Sequence, residues 1–297
     1  MKIRSLPNRL FRYLLTVISP RLNINFFYKK CHHYFPDLQN PKTLDEKIQW
    51  MKLHYYKDNP LVYQCADKYR VREYVKACGL DHILNDLIAT YRSASEIRWD
   101  ELPEKFVLKW NFGCGGNVIC SDKSALDRRL TVKQLNEFQR IKAHLLEAEP
   151  QYDMAKVLLC EKFIETDDGL QPVDYKFYCF HGKAAYVLCC VGRGDGQKTK
   201  FYFFDRNWNL CRLNRSSLEL PPDFSLPKPE GIDQLFDYAE ILSKPFPFVR
   251  ADFYWEKGRA YFGELTFTPG GGFDAGRLPE TDRLFGDRID LSVCKNN

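Results

Sequence analysis

Arg250, Asp252, Glu264 and Thr266 are the side chains best placed by type and spacing to do chemistry. They lie in the stretch Val249-Arg-Ala-Asp-Phe-Tyr-Trp-Glu-Lys-Gly-Arg-Ala-Tyr-Phe-Gly-Glu-Leu-Thr-Phe-Thr-Pro-Gly-Gly-Gly272. This reads as a strand, a tight turn around Gly258, and a returning strand that stops at Pro269 and a glycine run. Strand alternation puts Arg250 and Asp252 on one face, and Glu264 and Thr266 on one face. An odd-length turn over Glu256-Lys257-Gly258 is expected to bring both sets to the same side of the hairpin. Two packed carboxylates need a counterion, and an oxygen-only donor set suits Mg²⁺ held between protein and phosphate. A plain cross-strand charge pair on a solvated hairpin fits the same residues, so the hairpin alone leaves both readings open.

Two further groups could serve a phosphate. Phe106-Val-Leu-Lys109 reads as a buried strand ending in a lysine, followed by a loop with Gly113, Gly115 and Gly116. Such loops let backbone approach a phosphate and turn several N–H groups toward it, and Lys109 adds a point charge. The loop is not a Walker sequence, and most glycine turns are simply hairpins. Asp67 to Gly79 reads as a helix ending at Gly79, with Lys68 and Arg72 four apart on its polar face.

The elements that must position these groups follow from pattern. Thr43-Leu-Asp-Glu46 has capping-box spacing before the apolar stripe Leu44, Ile48, Met51. Leu135, Phe138, Ile141 and Leu145 give helical spacing from Thr131 to about Ala148. Lys156 to Ile164 reads as a strand, Asp174 to Cys190 as a hairpin turning at His181-Gly182, Gly192 to Gly196 as a flexible loop, and Ile232 to Leu242 as a helix. Strands with interleaved helices make an α+β chain. We expect a helical N-terminal region over 1–60, a first lobe over 61–165 and a second over 166–297.

Composition narrows the class. At 297 residues, 44% hydrophobic and 15% aromatic, the chain is globular. A formal charge of +5 permits an acidic substrate, but no basic run or RNA-type aromatic motif argues for nucleic acid. Eleven cysteines, an odd number without C-x-x-C spacing, read as reduced residues of a cytoplasmic protein. Lys2, Arg4, Arg9 and Arg12 precede the apolar run Tyr13 to Ser19, which is too short to span a bilayer. It is expected to be a helix docked on the body, with contact to an anionic membrane surface as the sharper alternative.

In order along the chain, Asp67-Lys-Tyr-x-Val-Arg, Phe106-Val-Leu-Lys-x-Asn, Asp174-Tyr-Lys-Phe-Tyr-Cys-Phe and Gly263-Glu-Leu-Thr-Phe-Thr-Pro-Gly-Gly-Gly272 resemble the TupA-like ATP-grasp family, over roughly Leu61 to Gly272. The family is associated with surface-polysaccharide gene products. The resemblance implies two α+β lobes clasping ATP. In that arrangement Lys68 and Lys109 contact phosphates, the loop Gly113 to Gly116 closes over them, and the backbone of Glu161, Lys162, Phe163 and Ile164 receives the adenine. Asp174 is placed near the ribose, Lys176 toward the phosphates, Asp252 and Glu264 on Mg²⁺, and Arg250 against the transferring phosphoryl group. Thr266 stands where the superfamily usually has Asn, and keeps a hydroxyl that can ligate. The usual α/β N-terminal lobe is replaced by about sixty residues of mostly helical pattern.

The reaction so implied is amide formation between a carboxylated sugar and an amine such as an amino acid, through an acylphosphate. Phosphoryl transfer asks of the protein mainly positioning and charge neutralisation. A glycosyltransferase remains an alternative, although no Asp-x-Asp occurs. A kinase built on the same lobes is another.

Overall fold

The computed structural model describes residues 6–167, 169–193 and 199–295. Lys2, Arg4 and Gly194 to Gly196 of the glycine-rich loop lie outside them. Helices α1 (Leu6–Ile18) and α2 (Pro20–His32) meet at Ser19 and Pro20, proline being tolerated at a first helical turn. Helix α3 (Leu44–His54) is opened by the capping box: Thr43 Oγ1 accepts the Glu46 N–H at 3.2 Å and Glu46 Oε2 accepts the Thr43 N–H at 3.1 Å. The short helices α4 (Pro60–Ala66) and α5 (Val71–Ala77) follow.

Strands β1 (Leu87–Tyr91), β2 (Phe106–Trp110) and β3 (Val118–Cys120) come next, then α6 (Arg128–Gln139), α7 (Ala143–Leu146) and β4 (Leu158–Lys162). The single helix expected from Thr131 is broken after Gln139. β1 to β4 form an antiparallel sheet in the order β1-β4-β2-β3. Its core holds Phe106, Leu108 and Trp110 against α6, where Trp110 Nε1 donates to Leu135 O at 3.1 Å and Phe112 stacks on Phe138 at 5.4 Å.

The second sheet holds β5 (Asp174–Phe180), β6 (Lys183–Val191), β7 (Lys200–Phe204) and β8 (Leu210–Cys211). After helix α8 (Ile232–Ser243) it is completed by β9 (Phe248–Glu256) and β10 (Arg259–Thr266), in the order β10-β9-β5-β6-β7-β8, again antiparallel. The chain then runs into α9 (Pro279–Asp287). Alternation gives this sheet two different faces. Phe177 and Phe253 pack under α8, with Phe177 and Phe236 centroids 4.8 Å apart. Lys176, Tyr178, Arg250 and Asp252 occupy the other face, which α9 covers in part through Phe285, 5.3 Å from Tyr178. Leu44, Ile48 and Met51 of α3, with Val71 and Val75 of α5, belong to the core of this second sheet. Helix α3 also holds the turn after β10: Gln49 Nε2 donates to Gly272 O at 2.6 Å, and the buried Lys52 Nζ to Gly271 O at 2.6 Å. No disulfide joins cysteines among the described residues, and no helix among them is long and apolar enough to cross a membrane.

Candidate active site

The acidic pair is assembled by a bulge and not by the expected odd-length turn. Glu256 pairs directly with Arg259 across the two-residue turn Lys257-Gly258, whose φ values of 53° and 72° fit a tight hairpin turn of the strand-matching hand. That register alone would set Asp252 opposite Gly263 and send Glu264 to the far face. The register shifts between Phe262 and Glu264, so Glu264 lies opposite Asp252 and Thr266 opposite Arg250. Glycine is required in the bulge: a Cβ at 263 would stand 2.9 Å from the carbonyl oxygen of Asp252.

Charges then interlock across three strands. Arg250 grips Asp252 with two hydrogen bonds, Nε to Oδ1 at 2.7 Å and Nη2 to Oδ2 at 2.6 Å, and also donates to Thr266 Oγ1 at 3.1 Å. Thr266 in turn donates to Glu264 Oε1 at 2.7 Å. Lys176, opposite Asp252 in the ladder, bridges Asp252 at 2.6 Å and Asp174 at 2.5 Å, and Arg193 holds Asp174 at 3.2 Å. Burial pushes the Glu264 carboxyl up, but Lys68, Arg250 and Lys176 outweigh it and hold the group well below the usual carboxylate range. Burial lowers Lys176, and Asp252 and Asp174 more than reverse it. Glu264 and Lys176 are therefore charged at neutral pH.

Lys68 lies just before α5, not on a helix. Asp67 Oδ1 accepts the N–H groups of Tyr69 at 2.8 Å and Arg70 at 3.2 Å, an Asx cap that delays the helix to Val71. From this turn Lys68 Nζ donates to Gly113 O at 2.5 Å and reaches Glu264 Oε2 at 3.2 Å. It thus joins the glycine loop to the acidic hairpin. Gly113, Gly115 and Gly116 all have left-handed φ, and at Gly116 a Cβ would stand 2.4 Å from the Phe138 ring.

Lys109 stands apart from this cluster, paired with Glu161 at 2.8 Å. Both line a cleft of about 130 Å³ between the sheets, walled by Val107, Ile119, Phe163, Ile164 and Tyr254, with Lys162 and Arg193 at its edge. A flat apolar slot beside a lysine and a strand end suits a heteroaromatic ring. A larger cavity of about 860 Å³ opens from Lys176 and Arg250 across β6 and β7. The exposed Lys200 and Arg215 add cations to it, against Glu219 and Asp274, whereas Arg277 in its wall is buried in ion pairs with Asp45, Asp274 and Asp282.

The chain matches the TupA-like ATP-grasp profile over residues 46–290. The chain belongs to the TupA-like ATP-grasp family. It therefore has the ATP-grasp fold. None of the curated proteins compared with it matches. Solved structures similar to it include the D-alanine–D-alanine ligase of Bacillus anthracis complexed with ATP, at 16% identity and a TM-score of 0.44, covering 78% of this chain and 68% of that one. D-cycloserine synthetase DcsG is similar at 13% identity and a TM-score of 0.45, covering 78% of this chain and 72% of that one. An L-amino acid ligase from Bacillus licheniformis is similar at 12% identity and a TM-score of 0.43, covering 70% of this chain and 44% of that one.

Within this family member, sequence reasoning gave no role to the groups that hold Lys68 in place. Asn111 is fully buried and donates to Asp67 Oδ2 at 2.9 Å and Ala155 O at 3.0 Å, while its Oδ1 accepts the Val157 N–H at 2.9 Å. Both partners stood in the quoted stretches, as Asp67-Lys and Lys109-x-Asn, and that shared neighbourhood of lysines was the available signal. Arg193 and Tyr254 carried no comparable local signal. The residues present fit a nucleotide and a divalent cation. Asp252, Glu264 and Thr266 offer oxygen donors on adjacent strands, and the buried Asp174 Oδ1 has no hydrogen-bond partner among the described residues.

Proposed function

We propose that this ATP-grasp protein is a carboxylate–amine ligase joining an amino acid to a carboxylated sugar during assembly of a surface polysaccharide. The observation that supports this reading is the large cavity that continues from Arg250 and Lys176 and carries the exposed Lys200 and Arg215. It lies beside the acidic pair and has the size and charge for an acidic sugar. In this reading Asp252, Glu264 and Thr266 hold Mg²⁺, which neutralises charge on the phosphates when bound. Lys68, Lys109, Lys176 and the N–H groups of the loop Gly113 to Gly116 hold the phosphates. The backbone of Glu161 to Ile164 takes the adenine in the small cleft, and Asp174 Oδ1 accepts from a ribose hydroxyl.

Arg250 faces the transferring phosphoryl group, and the acceptor carboxylate oxygen attacks its phosphorus as ADP leaves. The amine nitrogen then attacks the acyl carbon, phosphate departs, and the nitrogen gives up its proton. The lobes divide the work at about residues 60 and 165, between the helical N-terminal region, the glycine loop and the acidic hairpin. The reduced cysteines favour a cytoplasmic location, at the inner face of a membrane.

The test is incubation with ATP, Mg²⁺, amino acids and a uronic acid whose carboxylate carries heavy oxygen. Amine-dependent release of ADP and of phosphate containing one heavy oxygen, with an amide in the mass spectrum, supports the ligase. A stable phosphorylated sugar would replace it with a kinase, and turnover confined to nucleotide-sugars with a transferase.

A further inference from the structure

The helix pair α1 and α2 buries polar groups while leaving a set of large apolar side chains exposed, and its residues precede the 46–290 span that matches the family. Arg12, Thr16 and Asn23 are buried. Arg12 donates to Leu146 O at 3.2 Å and pairs with Glu147 at 3.0 Å; Thr16 donates to Leu145 O at 2.7 Å; Asn23 donates to Thr16 Oγ1 at 2.6 Å and Arg12 O at 3.0 Å. These bonds fix both helices to the body at α7, together with the buried Ile24, Phe27 and Tyr28 of α2. A second apolar set nevertheless faces outward: Leu10, Leu14, Val17 and Ile18 on α1, and Leu22 and Phe26 on α2, are exposed by 47–68%. Phe11 meets Phe26 edge to face at 5.3 Å, so the two helices present one continuous patch.

A soluble surface helix keeps such side chains against the core. Charge identifies what covers this patch. The first thirty-six residues contain no Asp or Glu, and seven Lys or Arg, in a chain with 39 acidic residues overall. Of these, Arg21, Lys29 and Lys30 are exposed on α2 beside the patch. A second copy of the chain would set cations against cations, whereas an anionic bilayer meets both the charge and the apolar side chains.

We propose that α1 and α2 form a membrane-docking surface that lies flat on an anionic bilayer, with Leu10, Leu14, Val17, Ile18, Leu22 and Phe26 entering the headgroup boundary. This gives a partner to the membrane-face location proposed above, and it stands whatever the acceptor proves to be. The full chain is sedimented with phosphatidylcholine vesicles, with and without phosphatidylglycerol. Binding should require phosphatidylglycerol and fall as salt rises. The pair Leu14→Asp and Val17→Asp should weaken it at least about tenfold, with Tm and ATP affinity unchanged. The milder Arg21→Glu should weaken it less. The inference is overturned by equal sedimentation with both vesicles, by unchanged binding of the double variant, or by a stable dimer in solution that the double variant dissociates. If the double variant misfolds, a spin-labelled lipid quenching a fluorophore at Val17→Cys decides: quenching supports docking, and none refutes it.

Discussion

Asn111→Ala tests whether Lys68 is positioned by its neighbours. The substitution removes one acceptor and one donor group from a fully buried site. The Val157 N–H, the Ala155 carbonyl and one Asp67 oxygen each lose a partner. A buried polar group left unmade costs about 1–3 kcal/mol, and a water entering the vacated space recovers part of that. About 3 kcal/mol of destabilisation follows, or a Tm lower by roughly 6–12 °C at about 2–4 °C per kcal/mol. The Lys68 backbone N–H still donates to Asn111 O at 2.9 Å, so the lysine is loosened and not lost. A charge-assisted phosphate contact contributes about 1.5–3 kcal/mol, and losing half of it weakens ATP roughly four- to twelvefold.

The assay is ATP titration calorimetry on wild type, Asn111→Ala, Lys68→Ala and the double variant. The two changes should be strongly non-additive in ATP affinity, because Asn111 acts through Lys68. A lowered Tm with unaltered ATP affinity, or an undiminished effect of Asn111→Ala in the Lys68→Ala background, would refute the positioning argument.

Gly263→Ala should cost about 1–3 kcal/mol in urea unfolding, because its Cβ meets the Asp252 carbonyl at 2.9 Å, and should lower turnover more than ATP affinity by displacing Glu264. Asp252→Asn or Glu264→Gln should abolish Mg²⁺-dependent ADP release while leaving circular dichroism unchanged; near-normal turnover would remove them from the metal site. Arg215→Ala should raise the KM for an acidic sugar several-fold with the KM for ATP fixed, measured in the coupled ADP assay. Burial and then Asp45 push the Asp282 carboxyl up to about 6, although Arg277 pulls it down. A raised folded pKa means the native state holds its proton more tightly, so this group's stabilisation is present at low pH and lost as pH rises from about 4 to 6. Asp282→Asn should therefore gain on wild type across that window by up to about 1–3 kcal/mol and then level off, as urea midpoints against pH will report.

Periodicity and capping made much of the fold legible. Thr43 and Glu46 announced α3, and His181-Gly182 announced the β5–β6 turn, because these signals are local and strong. The start of α5 was not legible: Asp67 competes for the backbone N–H groups through its side chain, and its second oxygen is fixed by Asn111, 44 residues away. The common face of Asp252 and Glu264 was anticipated for a different reason from the one found. A turn of unknown length and a bulge of one residue have the same effect on side-chain parity, and the sequence offers Gly258 and Gly263 equally as the place for it. Lys52 continues the Leu44, Ile48 spacing along the buried side of α3, but its partner was not legible, because only the fold brings the Gly271 carbonyl to it.

The site stores its cations on its own acids. Lys68 rests on Glu264, Lys176 on Asp252 and Asp174, and Arg250 on Asp252. Asp252 and Asp174 are nearly buried while Glu264 is 27% exposed, and leaving either buried carboxylate unpaired would cost several kcal/mol. In the proposed reading the carboxylates cannot take a divalent cation without releasing these side chains, and phosphates cannot take the side chains without releasing the carboxylates. Each exchange alone leaves buried charge of one sign uncompensated. Both together restore the balance, with acids on metal and bases on phosphate. Nucleotide and metal affinity are thereby coupled by the pairing itself, and reciprocally, with no change of fold required. Thr266 fits the same logic, because its hydroxyl now bridges Arg250 and Glu264 and can turn its oxygen to a cation when that bridge opens.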